Sequence, residues 1–167
     1  MIFLTVGTTK FPFSRLLKGV DKALVSSETK EKLIAQTRSN IFKFSYQNTE
    51  KFSEIPFPKM IFFLSRARTV ITHGGAGTIL LALKYTKNKP LVVPRSKRLN
   101  EHIDDHQIFF TKFLKKKGLI EAIFPGENLV DRIGHYLQFP EKLPSEKKTS
   151  DLRRLVEKLI EYTESIK

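Results

Sequence analysis

A glycine-rich segment beside a histidine and a threonine is the part of the sequence best suited to chemistry. It reads Thr72-His73-Gly74-Gly75-Ala76-Gly77-Thr78 and follows an apolar run, which suggests a strand entering it and a helix leaving it. Glycines let a phosphate approach the backbone, and the free N–H groups and dipole at a helix N-terminus favour anions. The segment therefore predicts a diphosphate cradle. The alternative is a glycine turn required only for close packing of strand and helix.

Two better-known phosphate loops do not fit this segment. The pattern GxxxxGK[ST] is absent, which argues against a P-loop NTPase. The dinucleotide pattern GxGxxG fails because Gly75 and Gly77 are followed by Leu80 where a third glycine belongs. The loop also does not follow the first expected strand, so a nicotinamide-dependent dehydrogenase is disfavoured.

A pair of histidines raises the question of a metal site. His102 and His106 have the i, i+4 spacing of one helix face and lie beside Asp104 and Asp105. The pattern HExxH is not formed, however, and the chain has no cysteine. We therefore expect no metal ion and no cofactor.

Strand-like and helix-like segments alternate along the chain. Strands are expected at residues 2–6, 32–36, 41–44, 69–73, 90–93 and 119–124, and helices at about 16–24, from 58, from 76 to about 85 and from 104 to 117. This alternation predicts an α/β fold, a Rossmann-like parallel sheet with right-handed crossovers and helices on both faces.

The 167 residues fit one domain of ordinary size, followed by a short extension. We expect a folded domain at 1–138, a linker at 139–149 with two prolines and several charges, and an amphipathic helix at 150–167. The apolar stripe of that helix packs on the domain in one interpretation. In the other it contacts a partner or a membrane surface.

The net charge of +13 is the strongest signal in the composition, and it favours an anionic partner such as nucleic acid, an acidic leaflet or an anionic substrate. A Lys-rich solvated face would explain part of it equally well. No apolar run approaches the roughly 18 residues of a membrane span. The first residues lack the pattern of a signal peptide, and the absence of cysteine agrees with a reducing cytosol.

Several motifs in a fixed order resemble a known family. They are Val6-Gly7-Thr8 with Pro12-Phe13, the segment 72–79, and Val93-Pro94-Arg95 followed by Glu101-His102-Ile103-Asp104-Asp105-His106-Gln107. Together they resemble the C-terminal, donor-binding half of glycosyltransferase family 28, whose members have the two-lobed GT-B architecture. The resemblance covers about residues 1–121. It is closest to stand-alone subunits, namely bacterial exopolysaccharide and capsule β-1,4-galactosyltransferase subunits and the cytosolic subunit of the dolichol-pathway UDP-N-acetylglucosamine transferase.

The resemblance implies a two-polypeptide enzyme. This half would hold the UDP-sugar, and a membrane-attached partner would supply the lobe that binds a lipid-linked saccharide acceptor. Such enzymes are typically inverting and need no metal in the donor lobe, because a helix dipole and loop amides stabilise the leaving diphosphate. The expected location is the cytoplasm, at the inner face of the cell membrane through the partner.

The same resemblance implies a set of substrate-binding residues. Residues 73–78 would hold the diphosphate, residues 7–9 would line the cleft facing the acceptor, and His106 and Gln107 would contact the donor sugar. No catalytic residue is assigned, since the general base is expected on the partner or at the interface. The complete set is Gly7, Thr8, Thr9, Gln36, Thr37, His73, Gly74, Gly75, Ala76, Gly77, Thr78, Arg95, Glu101, His102, Asp105, His106 and Gln107.

Two positions depart from the family pattern. Arg38 stands where a Gln-Thr-Gly segment near the donor cleft has its glycine, and Leu81 stands where a glutamate usually accepts the ribose hydroxyls. Leu81 keeps a second hypothesis open, in which the chain is a non-catalytic enhancer of a transferase. A third hypothesis, a basic nucleic-acid-binding module, is disfavoured because no such motif is present and the aromatic residues are mostly Phe within apolar runs. We therefore expect no nucleic-acid partner.

Overall fold

A computed structural model describes residues 1–38, 40–144 and 154 of the chain. Its centre is a six-stranded parallel sheet with the order β3-β2-β1-β4-β5-β6. The strands are β1 Ile2–Thr5, β2 Leu33–Gln36, β3 Thr49–Phe52, β4 Thr69–His73, β5 Leu91–Val93 and β6 Glu121–Ala122. The helices are α1 Ser14–Val25, α2 Phe57–Arg66, α3 Ala76–Tyr85, α4 His106–Lys116 and α5 Leu129–Gln138, with a short 3-10 helix at Lys97–Leu99.

The central strands are buried because helices cover the sheet on both faces. Helices α1 and α5 pack on one face, against side chains that include Ile71 and Leu91. Helices α2, α3 and α4 cover the other face, where Val70 and Val92 point. The expected fold class, a Rossmann-like parallel sheet with helices on both faces, is therefore confirmed.

The order of the strands reverses direction at the centre of the sheet. Strand β1 pairs with β2 on one side and with β4 on the other, so the chain winds outward twice from the middle. In doubly wound sheets a ligand crevice forms at the carboxyl ends of the strands, at this reversal. Thr5 of β1 lies beside Thr72 of β4 there, immediately before the glycine-rich segment.

The strand predicted at residues 41–44 is wrong. These residues form no strand, and the edge strand is instead β3, Thr49–Phe52. The alternating apolar residues of this segment pack on the core instead of pairing in the sheet. Phe42 and Phe44 lie edge to face, with their ring centroids 4.9 Å apart, and contact the side of the core covered by α1. The Asp21 carboxylate then accepts hydrogen bonds from the backbone N–H groups of Ser45 and Tyr46 and fixes the loop.

Three other elements, α4, β6 and α5, differ from the sequence-based prediction. Helix α4 begins at His106 rather than Asp104, and Asp105 occupies its N-cap position. Strand β6 has only two residues, Glu121 and Ala122, of the six expected. Helix α5 was not predicted, although Asn128 caps it by accepting a hydrogen bond from the Asp131 N–H.

The segment after α5 contacts the domain as far as the structure describes it. Asn88 and Lys142 form an isolated antiparallel bridge, flanked by hydrogen bonds from the Lys89 N–H to the Glu141 carbonyl at 2.8 Å and from the Leu143 N–H to the Lys87 carbonyl at 3.2 Å. The predicted helix at 150–167 lies outside the described residues apart from Arg154. None of the described helices is long and apolar enough to cross a bilayer.

Candidate functional site

The glycine-rich segment occupies the carboxyl edge of the sheet, as predicted. Strand β4 ends at His73, and α3 begins at Ala76 with Gly75 in the N-cap position. No side chain caps this helix end, and its first turn contains no acidic residue. The N–H groups of the first turn are therefore free to bind an anion. Gly77 is exposed in this turn, and Thr78 is half-buried beside it.

The His73 imidazole fills the space between two glycines. A Cβ atom on Gly7 would lie 2.5 Å from the ring, and one on Gly75 would lie 2.2 Å from Nε2. Gly7 also has a φ of +77°, a conformation that favours glycine. The first loop and the cradle therefore meet through one histidine ring, and both glycines are needed for that contact.

His73 is uncharged in the folded protein. Burial lowers the pKa of His73 to about 3, and the positive charge of Arg95 contributes to the same shift. The ring lies beside the Thr72 hydroxyl, with 3.4 Å between Nδ1 and Oγ1. A neutral ring has a single N–H, which is used by the hydrogen bond to the Thr5 carbonyl, and it adds no positive charge to the cradle.

The remaining glycines of the cradle have unequal roles. A Cβ on Gly74 would lie 2.8 Å from the Gln107 Cβ, so this glycine allows α4 to approach β4. The Gln107 Oε1 accepts hydrogen bonds from the backbone N–H groups of Gly74 and Arg95, at 3.1 and 3.2 Å. Gly77 faces open space, since a Cβ atom added there would meet nothing within 4 Å. It is thus the glycine that leaves room for a ligand.

Arg95 lies beneath the site rather than in it. The residue has no exposed surface, and its guanidinium donates to the carbonyls of Val6, Phe11, Pro12 and Glu101 at 2.8 to 3.2 Å. Burial lowers the pKa of Arg95 to about 10, so the group remains a cation at neutral pH. Arg95 therefore positions the loop after β1 and does not reach a ligand directly.

Glu101 also helps to hold the loop after β1, through contacts with α1 and with the segment after β5. Its carboxylate forms a two-point ion pair with Arg15 of α1, at 2.8 and 2.9 Å, and accepts the Ser96 N–H. Arg15 also donates to the Pro94 carbonyl at 3.0 Å. Sequence reasoning missed Arg15, because nothing near it along the chain indicates a partner 86 residues away.

His102, Asp104 and His106 form an outer cluster at the start of α4. The Asp104 carboxylate contacts the Nδ1 atoms of both rings, at 3.3 Å for His102 and closer for His106. Burial acts to raise the pKa of Asp104, but hydrogen bonds from His106 and the charges of both histidines hold it below its usual value. His102 lies before the helix, so the two rings do not share a helix face, yet their centroids are 4.8 Å apart. Within the described residues this is the one group with a metal-ligating arrangement.

Asp105 has a structural contact in this region. Its carboxylate accepts the backbone N–H of Lys97 at 2.8 Å and so connects α4 to the short 3-10 helix. His106, in contrast, is largely exposed at the N-terminus of α4 and remains available to a ligand.

The residues after β1 and β2 divide into buried and accessible ones. Gln36 is buried and accepts the Thr5 hydroxyl at 2.5 Å, and Thr5 in turn accepts the Gly7 N–H. Thr37 is buried too, whereas Thr8 is exposed and Thr9 half-buried. The structure therefore brings Thr8 and Thr9 toward the cleft and leaves Gln36 and Thr37 as supports.

The two departures from the family pattern have distinct structural explanations. Arg38 has a φ of +53°, the left-handed conformation in which glycine is ordinarily favoured, and its guanidinium pairs with Glu54. Leu81 is half-buried and packs against the apolar cluster beneath α2 and α3. At this position the chain uses an apolar contact where a carboxylate was expected.

Residues 1–161 match the glycosyltransferase family 28 C-terminal domain. The chain belongs to this family. No curated protein matches the sequence.

Solved structures similar to this family 28 domain include three glycosyltransferases. The glycotransferase of kitacinnamycin is 17% identical with a TM-score of 0.67 over 93% of this chain and 39% of that one. CalG4, the calicheamicin glycosyltransferase, is 14% identical with a TM-score of 0.63 over 96% and 38%. MurG of Acinetobacter baumannii is 17% identical with a TM-score of 0.59 over 93% and 49%. The family 28 domain thus spans less than half the length of each, and these similarities show the fold.

Proposed function

We propose that this family 28 domain binds a UDP-hexose and transfers the sugar together with a membrane-attached, acceptor-binding partner. The observation that supports this most directly is the uncapped N-terminus of α3, with Gly77 open to solvent, at the point where the strand order reverses. The proposed donor is UDP-galactose, transferred in β-1,4 linkage to a lipid-linked saccharide in exopolysaccharide or capsule biosynthesis. UDP-N-acetylglucosamine is the alternative donor.

The proposed chemistry depends on stabilising a leaving diphosphate. The N–H groups of residues 76–78 and the α3 dipole would bind the phosphate oxygens as negative charge develops on them. The Thr78 hydroxyl could add one more donor, and the neutral His73 ring would support the cradle from below. His106 lies at the start of α4 on the same edge of the sheet, where it could contact the sugar.

The described residues do not supply an evident general base near the cradle. His73 is buried and its pKa is lowered to about 3, so it would be a poor proton acceptor at neutral pH. We therefore propose that the base comes from the partner or the interface, that the reaction inverts the anomeric centre, and that it needs no metal. The similar glycosyltransferases are more than twice as long as the matched region, which supports a requirement for a second lobe.

The proposed location follows from the partner. A chain without a membrane-crossing helix among its described residues would reach its lipid-linked acceptor by binding a membrane-attached subunit at the cytoplasmic face. The extension after residue 138 would act as linker and amphipathic helix in this arrangement.

Leu81 supports a second candidate function, a non-catalytic enhancer. Because Leu81 packs into the apolar cluster, the usual carboxylate contact to ribose is missing from α3. An enhancer would bind and activate a catalytic subunit without binding the donor. This differs from the first proposal in one measurable property, the affinity for UDP.

Calorimetric titration tests both candidates. The purified chain is titrated with UDP, UDP-galactose, UDP-glucose and UDP-N-acetylglucosamine, alone and with the detergent-extracted partner, with and without EDTA. Saturable binding that prefers one sugar and is insensitive to EDTA is expected. Complex formation without nucleotide binding in any condition would replace the transferase proposal by the enhancer. Loss of binding in EDTA would instead identify the cluster of His102, Asp104 and His106 as a metal site.

A further inference from the structure

A cationic cavity lies on the edge of the sheet opposite the glycine-rich cradle. Its volume is about 500 Å³, and it is formed by the segments before β4 and β5 and by the chain after α5. The lining residues are Ser65, Arg66, Ala67, Arg68, Lys87, Asn88 and Lys142. Four of these seven residues are cationic and none is acidic. The cavity therefore favours an anion.

Most of this positive charge is not neutralised by the protein. Arg68 pairs with Glu31 and donates to the Leu137 carbonyl at 2.8 Å. Arg66, Lys87 and Lys142 have no carboxylate within ion-pair distance among the described residues, and all three are exposed.

Exposed aromatic residues continue from the cavity along α2. Phe57 is 60% exposed and Phe62 is 50% exposed, whereas Phe63 is buried in the core. The Arg66 guanidinium lies 4.8 Å from the centroid of the Phe62 ring. This contact places Phe62 next to the cavity. At the other end of α2, the Lys59 ammonium lies 4.3 Å from the Phe52 ring.

We propose that the exposed aromatic residues of α2, Phe57 at its start and Phe62 near its end, form with the adjoining cavity a docking surface for an anionic lipid bilayer. Phe57 and Phe62 would enter the interface between headgroups and acyl chains. Arg66, Lys87 and Lys142 would contact acidic headgroups around and within the cavity. This contact is made by the chain itself and is independent of the membrane-attached partner and of UDP binding.

Charge and side-chain type together favour a bilayer over the other occupants. A soluble anion would use the cavity alone and would leave the exposed aromatics of α2 without a role. A second copy of the chain would place two surfaces with the same positive charge against each other, which is unfavourable. An acidic membrane offers an apolar environment to the aromatic side chains and anionic headgroups to the cationic side chains in a single contact.

The test measures binding of the 167-residue chain to phosphatidylcholine vesicles with and without phosphatidylglycerol. We expect binding only to the acidic vesicles, with a steep decrease as salt is added. The triple variant Arg66→Gln, Lys87→Gln, Lys142→Gln should lower the partition coefficient by about 100-fold, since each basic residue near an acidic surface contributes several-fold. Its matched control removes the same charge from exposed lysines elsewhere: Lys22→Gln, Lys30→Gln, Lys116→Gln. The control should retain most of the binding.

The aromatic half of the surface has its own variant. Phe57→Ser with Phe62→Ser should lower the partition coefficient by about tenfold or more, while the control pair Phe109→Ser with Ile41→Ser, also exposed but away from the cavity, should change it little. Circular dichroism of each variant establishes that it is folded.

Three results would overturn the proposal. One is equal binding by the triple variant and its control, because net charge alone would then explain the affinity. Another is binding of inorganic phosphate or glycerol 3-phosphate by a chain that does not bind acidic vesicles. The cavity would then be a site for a soluble anion. The third is failure to bind vesicles combined with self-association that depends on Phe57 and Phe62 in sedimentation velocity, which would make the surface a contact between copies.

Discussion

At the scale of single residues, the glycines around the cradle serve two physical purposes. Gly7 and Gly75 make room for the His73 ring, and Gly74 makes room for Gln107. Gly77 makes room for nothing inside the protein and faces solvent. Substitutions at Gly7, Gly74 or Gly75 should therefore disturb the fold, whereas substitutions at Gly77 should disturb only ligand binding.

Gly77→Ala tests the cradle without disturbing the core. Alanine has the better helix propensity, so the melting temperature should stay the same or rise slightly. A methyl group on the ligand side should lower UDP affinity by about tenfold or more, since about 1.4 kcal/mol corresponds to a factor of ten. Calorimetry measures the affinity, and an unchanged value would contradict the placement of the diphosphate.

The matched control is Gly75→Ala, two residues earlier. Its Cβ would lie 2.2 Å from the His73 Nε2, so the ring or the backbone must shift. Such overpacking lowers the free energy of unfolding by about 1–3 kcal/mol. A Gly75→Ala variant as stable as the original chain would show that the ring relaxes freely.

The buried histidine makes stability depend on pH in a defined direction. Its pKa is about 3 in the folded protein and 6.5 in the unfolded chain, so the unfolded state binds more protons between these values. The contribution of His73 is therefore complete above pH 6.5 and is lost as the pH falls, at up to about 1.4 kcal/mol per pH unit. His73→Gln should show a shallower dependence in urea titrations at about pH 5 and pH 7. Parallel curves for the two proteins would mean that His73 is accessible to protons.

Much of the candidate site follows from residue types and order, but individual roles do not. The sequence places His73 at the end of a strand and Gly77 and Thr78 at the start of a helix, and the structure agrees. It cannot distinguish Arg95 as a buried support from Arg95 as a ligand contact, because most of the carbonyls that bind its guanidinium come from a segment more than 80 residues away. The burial of Gln36 has the same origin, a contact with Thr5 across two strands.

At the scale of elements, Arg95 and Glu101 hold the loop between β1 and α1 against the loop after β5. Arg95 donates to three carbonyls of the first loop, and Glu101 pairs with Arg15 at the start of α1. Since Thr8 and Thr9 lie in that loop, these buried contacts set the shape of the cleft.

Arg95→Lys should weaken this connection. One ammonium cannot reach four carbonyls at once, and each unsatisfied buried acceptor is costly, so the free energy of unfolding should fall by about 2–4 kcal/mol. Hydrogen exchange of residues 7–12 should accelerate. Arg98→Lys, on the exposed 3-10 helix, is the matched control and should change stability by less than about 0.5 kcal/mol. Equal effects of the two substitutions would contradict the role assigned to Arg95.

The local periodicity of apolar residues was sufficient to predict most helices and strands. It failed in segments whose conformation depends on contacts with distant parts of the chain. The apolar runs of β1, β4 and β5 are buried on both faces and are evident from sequence. The loop at 41–44 shows the period of a strand, yet its aromatics cover the α1 side of the core instead of pairing. In α5 the apolar residues Leu129, Ile133 and Leu137 are spaced as in a helix, but Gly134 and the neighbouring prolines weakened that signal.

At the scale of the whole molecule, the two edges of the sheet have different surfaces. The carboxyl edge presents the α3 N-terminus, Thr8 and the cluster of His102, Asp104 and His106. The amino edge presents the cationic cavity beside α2. A partner that completes a donor cleft should therefore contact only the first of these edges.

Hydrogen exchange upon partner binding tests this arrangement. In the complex, backbone amides near Thr8, Thr9 and Gly77 should exchange several-fold more slowly, because the cleft excludes water. Amides of residues 66–68 and 87–88 should be unaffected. Protection confined to the amino edge would place the partner on the α2 side and would contradict a shared cleft at the cradle.

The contact between Gly7, His73 and Gly75 also has an evolutionary consequence. With the ring in place, a side chain at either glycine creates a clash, so neither position can change first without loss. Replacing the histidine by a smaller residue would open the space and make position 75 permissive, whereas the φ of +77° at Gly7 would still favour glycine. The order of mutations along a lineage would therefore matter at position 75: descendants could acquire alanine there only after losing the imidazole, and return of the imidazole would then be blocked.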